Sequence, residues 1–173
     1  MDVFGKNPSA EVGKYFRRSA WGWRRLAICI RTLAPAESAS CRYWQTNDGD
    51  GLNKAKSIRL ADRLDELIAS GAVAAYVTIT DAEIAALPRV ACAHCGGTGI
   101  RTDAVAVAAG QPERIVDRAS DGEHNPRHGE KGWCNGCHGW GSNPDFDTFY
   151  GLEVDDVKAF SAFIRASGGF QIC

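Results

Sequence analysis

"CAHCGGTG" occupies residues 92–99, and "CNGCHGWG" occupies residues 134–141. Both fit the template Cys-x-x-Cys-x-Gly-x-Gly. A Cys-x-x-Cys turn brings two sulfurs to one point, and two such turns complete a tetrahedron. Soft thiolates favour zinc, so Cys92, Cys95, Cys134 and Cys137 are read as the ligands of one Zn2+. The glycines have a separate task. After the second cysteine of each turn the chain must bend sharply, through backbone angles that glycine accepts without penalty. Gly97 and Gly99 serve the first turn, and Gly139 and Gly141 the second. Backbone N–H groups can then point at the sulfurs and offset their charge. Four protein ligands leave no open position for water or substrate. The zinc is therefore expected to be structural, and its binding energy to act as folding energy for residues 91–141. Two other readings of the same residues stay open. One is a redox dithiol, which needs a lowered thiol pKa and usually a single Cys-x-x-Cys at a helix start. The other has His94 or His138 replacing a cysteine as ligand.

The remaining cysteines, Cys29, Cys41 and Cys173, bring the total to seven. An odd count argues against a secreted disulfide framework and for a reducing compartment. No apolar run approaches the ~18–20 residues that span a bilayer. The longest candidate, near Leu26–Leu33, is broken by Arg31. The N-terminus lacks a charged-then-apolar signal layout, and neither Met1-Asp2 nor "GFQIC" is a lipidation signal. The expectation is a cytoplasmic protein with no membrane partner.

Net charge is −1 over 173 residues, but it is unevenly spread. Residues 1–34 carry seven Lys/Arg against Asp2 and Glu11, whereas residues 121–156 carry eight acids against Arg127 and Lys131. Such polarity can steer a partner or draw two ends of one domain together. Within the basic stretch, Arg17, Arg18, Trp21, Trp23, Arg24 and Arg25 make an aromatic-basic segment. It can pack in a core, or it can track phosphates and stack on a base.

Apolar periodicity predicts helices over 20–34, 52–70 and 154–167. Ser19 is placed to cap the first, and Gly71 to end the second. A short helix over 10–18, capped by Ser9, is expected before them. "AVAAYVTIT" (72–80) suggests a strand or a helical extension, and "TDAE" (80–83) reads as a capping box opening a helix over 81–87. "TDAVAVAAG" (102–110) reads as strand, 112–132 as an exposed loop, and "FQI" near the end as a small strand. "YWQTNDGDG" (43–51) fits a calcium loop poorly: Thr46 and Ser57 fall where Asp and Glu are needed, so it is read as a turn. The fold class expected is α+β: helices from both ends packed on a small β-sheet, with an inserted zinc-bound hairpin. Residues 1–173 are read as one integrated domain, with 91–141 as a zinc-knuckle subdomain within it.

The two eight-residue stretches resemble the cysteine-rich zinc finger of DnaJ-type co-chaperones. That family uses Cys-x-x-Cys-x-Gly-x-Gly repeats as paired zinc-binding knuckles on an extended β-hairpin-like scaffold. The resemblance implies that Cys92, Cys95, Cys134 and Cys137 are the ligands. It covers about 50 residues and only two repeats, where the family's chaperones usually carry four repeats and two zincs. The His-Pro-Asp motif of the J domain is absent from the sequence. Stand-alone proteins with a single zinc of this type share a zinc-stapled surface that binds another protein. The rest of the chain, from "FGKNPSAEVGKYFRR" (4–18) to "SGGFQI" (167–172), is loosely similar to small bacterial and phage-borne proteins, a likeness that carries no activity.

Three functions follow as expectations. The first is a zinc-stabilised protein-interaction module: an adaptor, regulator, inhibitor or chaperone-like protein, and not an enzyme. It rests on the closed metal site and on the lack of Walker, GxGxxG, GxSxG and HExxH signatures. The second is nucleic-acid binding through Arg17, Arg18, Trp21, Trp23, Arg24 and Arg25. The third is an enzyme with an unrecognised site, which would need Asp48, Asp50, His124 and His128 to converge.

Overall fold

The computed structural model describes residues 1–117 and 124–173. It is mixed helix and sheet, as the α+β expectation required. The chain forms two compact units: residues 1–85 with 149–173, and residues 86–148 inserted between them in sequence.

The first unit holds a four-stranded antiparallel sheet and the long helices. Its strands are β1 (Asp2–Gly5), β2 (Tyr15–Arg17), β3 (Gly51–Asn53) and β6 (Gly169–Ile172), in the order β2-β1-β6-β3. The terminal "FQI" is therefore an interior strand. Val3 faces Phe16 on one side and Ile172 on the other, while Leu52 faces Phe170. These residues line the inner face, and alternation sends Phe4 and Tyr15 to the outer one, where they pair at 5.2 Å.

Helix α1 (Ala20–Leu33) begins where expected, with the Ser19 hydroxyl accepting from the Gly22 N–H. It buries Trp23, Leu26, Ala27 and Ile30. Pro35 opens the short α2 (Pro35–Ser38). Helix α3 (Lys54–Ala69) buries Leu60, Ala61, Leu64 and Leu67, and Asn53 caps it by accepting from the Lys56 N–H. Against it packs α6 (Val154–Ala166), which buries Val157, Phe160, Phe163 and Ile164. Small residues let these two helices approach: the Ser161 hydroxyl donates to Ala61 O at 3.2 Å and to Asp65 Oδ1 at 2.6 Å. Arg165 closes the pair by bridging Asp62 and Asp65.

At the centre lies an aromatic cluster. Trp23 stacks on Trp44 with centroids 6.0 Å apart, and Phe160 meets both edge-on. The Trp23 indole N–H donates to Trp44 O, and the Trp44 indole N–H to Ser38 O, so neither buried N–H is orphaned.

Three local expectations are corrected. Residues 10–18 are not a helix but a 3-10 turn (Glu11–Gly13) followed by β2. The segment before it runs over the last turn of α6, where Asn7 N–H donates to Ser167 O and Ser9 N–H to Ala166 O. Helix-end carbonyls thus gain partners, and Ser9 caps nothing at its own end. Gly13 makes that approach possible: a Cβ there would lie 2.3 Å from Ala166 O. Of the two readings of residues 72–80 the helical one forms, and it is not separated from a later helix. One helix, α4 (Ala72–Ala85), runs through both, at 74° to α3 across the bend at Gly71. The Thr80 hydroxyl donates to Tyr76 O and Val77 O instead of capping a new helix. Finally, "TDAVAVAAG" is a helix, α5 (Ala104–Ala108), because the Asp103 carboxylate accepts from the Val105 and Ala106 N–H groups.

The second unit has little regular structure besides α5. Strands β4 (Val90–Ala91) and β5 (Ser142–Asn143) form a two-residue antiparallel ladder. Ile115 and Lys131 make an isolated bridge. The expected exposed loop, 112–132, is more ordered than its composition suggests, with Val116 and Asn125 fully buried; its residues 118–123 lie outside the described residues. No helix among the described residues is by itself long and apolar enough to cross a membrane.

Candidate metal centre

The β4–β5 ladder brackets the two cysteine turns, and Cys92 N–H extends it by donating to Gly141 O at 2.8 Å. Each turn repeats the same bonds. Cys95 N–H donates to Cys92 O and Cys137 N–H to Cys134 O, both at 3.3 Å. Gly97 N–H then returns to Cys92 O, and Gly139 N–H to Cys134 O, both at 3.2 Å. One step on, Gly99 N–H donates to Cys95 Sγ and Gly141 N–H to Cys137 Sγ, again at 3.2 Å. These are the N–H···S contacts the glycine spacing predicts.

All four expected glycines have positive φ, between 75° and 88°. Two of them also carry the contact between turns. A Cβ on Gly99 would lie 2.4 Å from Gly139 O, and one on Gly141 2.4 Å from Gly97 O. The residue directly after each second cysteine is left-handed as well: Gly96 at φ 58° and His138 at φ 50°. The template leaves that position free, so the strain at His138 has no signal in the motif.

The two turns bring Cys92, Cys95, Cys134 and Cys137 together, with all four sulfurs within 4.8 Å of one another. Cys92 Sγ and Cys134 Sγ are 3.9 Å apart, and Cys95 Sγ and Cys137 Sγ 3.8 Å. Four sulfurs at ~2.3 Å from a common centre define a tetrahedron with edges of about 3.8 Å. The residues therefore fit one tetrahedral metal ion such as zinc. Among the described residues this is the one cluster of three or more Cys, His, Asp or Glu side chains with that proximity. His94 lies against the other turn: a Cβ on Gly136 would meet its ring at 2.4 Å. The ring of His138 meets Trp133 edge-on, with centroids 5.8 Å apart.

Cys92, Cys134 and Cys137 are buried, while Cys95 is half-buried. The surroundings of the thiols differ. Burial raises Cys95, but the Gly99 N–H and the bonds from Cys137, Cys92 and Gly97 outweigh it and bring the group down to about 7. Burial dominates at Cys137, which is pushed up to about 12, and at Cys134, which is also raised. A cation bound among them would supply the positive charge that adjacent thiolates require.

A brace holds the second turn from behind. Asn125 is fully buried, its amide donating to His138 O at 2.8 Å and its carbonyl accepting from Arg127 N–H at 2.9 Å. Arg127 reaches on to Lys131 O at 2.9 Å and Glu130 at 3.0 Å. Arg89 covers Trp140 at 4.5 Å and binds Ser142, and Arg114 covers Trp133 at 3.9 Å. Sequence reading assigned none of these residues a role. The available signal was a second polar cluster, Asn125 to Lys131, directly ahead of the second knuckle.

The aromatic-basic segment is divided. Trp23 is in the core, and Arg18 forms an ion pair with Asp156 near the start of α6. Arg17 is exposed and 3.7 Å from Asp2, and Arg24 is exposed on α1. Trp21 is 41% exposed beside Tyr150, and half-buried Arg25 lines a groove with Ile28, Tyr76, Thr80, Ile84 and Leu152. Of the residues considered for an unrecognised active site, Asp50 is satisfied by backbone N–H groups, accepting from Arg42 at 2.6 Å, Tyr43 at 2.8 Å and Gly51 at 2.7 Å. Asp48 is exposed, as are His124 and His128, whose rings lie 6.1 Å apart.

Fold and site define an α+β chain with a four-cysteine cluster able to hold one metal ion. No family model matches it, and no curated protein or solved structure does.

Proposed function

We propose that the chain is a protein-interaction module in which one structural Zn2+, held by Cys92, Cys95, Cys134 and Cys137, staples knuckles of the DnaJ type. The observation that carries the interaction reading is α4. It spans Ala72–Ala85 and is rich in Ala, Val, Ile and Tyr, yet Val73 is its only buried residue. Ile79 is 59% exposed, and Ile84 joins Tyr76, Ile28 and Leu152 along an adjoining apolar groove. Ala72, Val73, Tyr76 and Val77 pack on the core, and the exposed Ile79 with the groove beside it leaves an apolar strip suited to another protein. A closed four-thiolate site supports a non-catalytic role for the metal, and unpaired thiols suit the reducing cytoplasm.

The test is capture of partners by the full chain from native-host lysate, beside the Ile79→Asp/Ile84→Asp variant. Proteins retained by the wild type and lost from the variant are expected. Identical capture by both, with the variant folded, would remove α4 as the interaction surface.

A further inference from the structure

Two open notches lie side by side on the first unit, and cations line both. The first, about 360 Å3, is lined by Arg31, Pro35, Ser38, Ala39, Cys41 and Arg42. The second, also about 360 Å3, is lined by Ala36, Glu37, Ala39, Ser40, Lys56 and Arg59. They share Ala39, so they are contiguous around α2. Together they present four cations against one carboxylate, in a chain whose net charge is −1. Arg31, Arg42 and Arg59 are exposed, at the end of α1, after α2 and on α3.

No Asp or Glu is among the residues lining the first notch, although the Asp50 carboxylate accepts from the Cys41 thiol that does. Cys41 is buried there and stays a neutral thiol, pushed up to about 12 chiefly by that burial. Asp50 adjoins Cys41 and the backbone of the loop. Its carboxylate oxygens accept the Arg42, Tyr43 and Gly51 N–H groups, which fixes the backbone carrying Arg42. The next residue, Tyr43, is 57% exposed. A basic concave surface with an exposed aromatic residue next in sequence to one of its arginines carries the residue types that bind single strands: cations follow the phosphates while a ring stacks on a base.

We propose that this surface binds single-stranded nucleic acid, with Arg31, Arg42, Lys56 and Arg59 on successive phosphates and Tyr43 as the stacking platform. The site lies beyond the protein-interaction reading. It also differs from the 17–25 segment, where Trp23 is buried and Arg18 is paired. A lone inorganic anion would use one notch, whereas a phosphodiester chain uses both.

The experiment is fluorescence anisotropy of a labelled oligothymidylate of about 12 nucleotides with the full chain, between about 50 and 200 mM salt. Four neutralised phosphates give a log–log salt slope of about −3, or roughly fiftyfold weaker binding across that range. Arg31→Gln/Arg42→Gln is expected to halve the slope. Tyr43→Ala is expected to weaken binding about fivefold or more and leave the slope unchanged. Arg17→Gln/Arg24→Gln is expected to change affinity less than about twofold. Circular dichroism checks that each variant folds. The proposal is overturned by no anisotropy change at about 100 μM chain and low salt. It is also overturned by an unchanged slope in the Arg31/Arg42 variant, by loss of binding in the Arg17/Arg24 variant, or by displacement with millimolar inorganic phosphate at constant ionic strength.

Discussion

Gly141 has two constraints, a φ of +78° and a backbone oxygen, Gly97 O, where its Cβ would stand. Gly141→Ala therefore pushes the two turns apart as well as straining the chain. The left-handed cost alone is about 1–2 kcal/mol. The variant is expected to lose its metal to a chromogenic chelator at least tenfold faster than wild type. His138 is the converse case, a side chain already at φ 50°. His138→Gly removes that strain at some entropic cost, so a net gain of about 0.5 kcal/mol is expected in thermal unfolding. Asn125→Ala leaves His138 O and Arg127 N–H without their buried partner and should cost about 1–3 kcal/mol. Asp50 adds a pH signature. Burial pushes its carboxyl up, but the N–H groups of Tyr43, Gly51 and Arg42 outweigh that and hold it below the ordinary 3.8. Folding thus favours the charged form. Its stabilisation is full above about pH 4 and disappears as pH falls through the lower folded value. Asp50→Asn should be less stable than wild type at neutral pH, with the gap closing in acid denaturation curves.

Helices with one apolar stripe were legible as elements: α1, α3 and α6 each bury the residues their periodicity marks. Helix α4 turns Val73, Tyr76, Val77, Thr80 and Ile84 inward, but Ala and Ile also stand on its exposed side, so the stripe is blurred, and its Val, Thr and Ile content imitates a strand. α5 alternates Ala and Val as a strand would, but the Asp103 cap decides it locally. β2 is three residues long, too short to carry a pattern, and exists because β1 pairs with it. Trp44 sits in a stretch read as mere connection, yet it fills the centre of the aromatic cluster. Only long-range packing reveals that. The four-cysteine cluster was legible because each turn is local and glycine-marked; its brace was not, because Asn125 acts through His138 O. At this scale α4 supplies a contrast. Ile79→Lys should leave the melting temperature nearly unchanged, whereas Val73→Ala, at a fully buried position, should cost about 1–3 kcal/mol.

The whole chain combines a hydrophobic core in its first unit with a second unit whose buried hydrophobic cluster is made of cysteines. A bound ion is expected to stand in for an apolar core there, so metal and folding are expected to be coupled. Chelation should unfold the 86–148 unit and leave the aromatic cluster around Trp23 and Trp44 intact, which hydrogen exchange can resolve segment by segment. Metal content of the purified chain, measured by elemental analysis together with Cys95→Ser, tests the central claim most directly. The account predicts about one zinc per wild-type chain, with loss of metal and a lower melting temperature in the variant. No zinc, two zincs per chain, or a Cys95→Ser chain that keeps its metal and melts unchanged would contradict it.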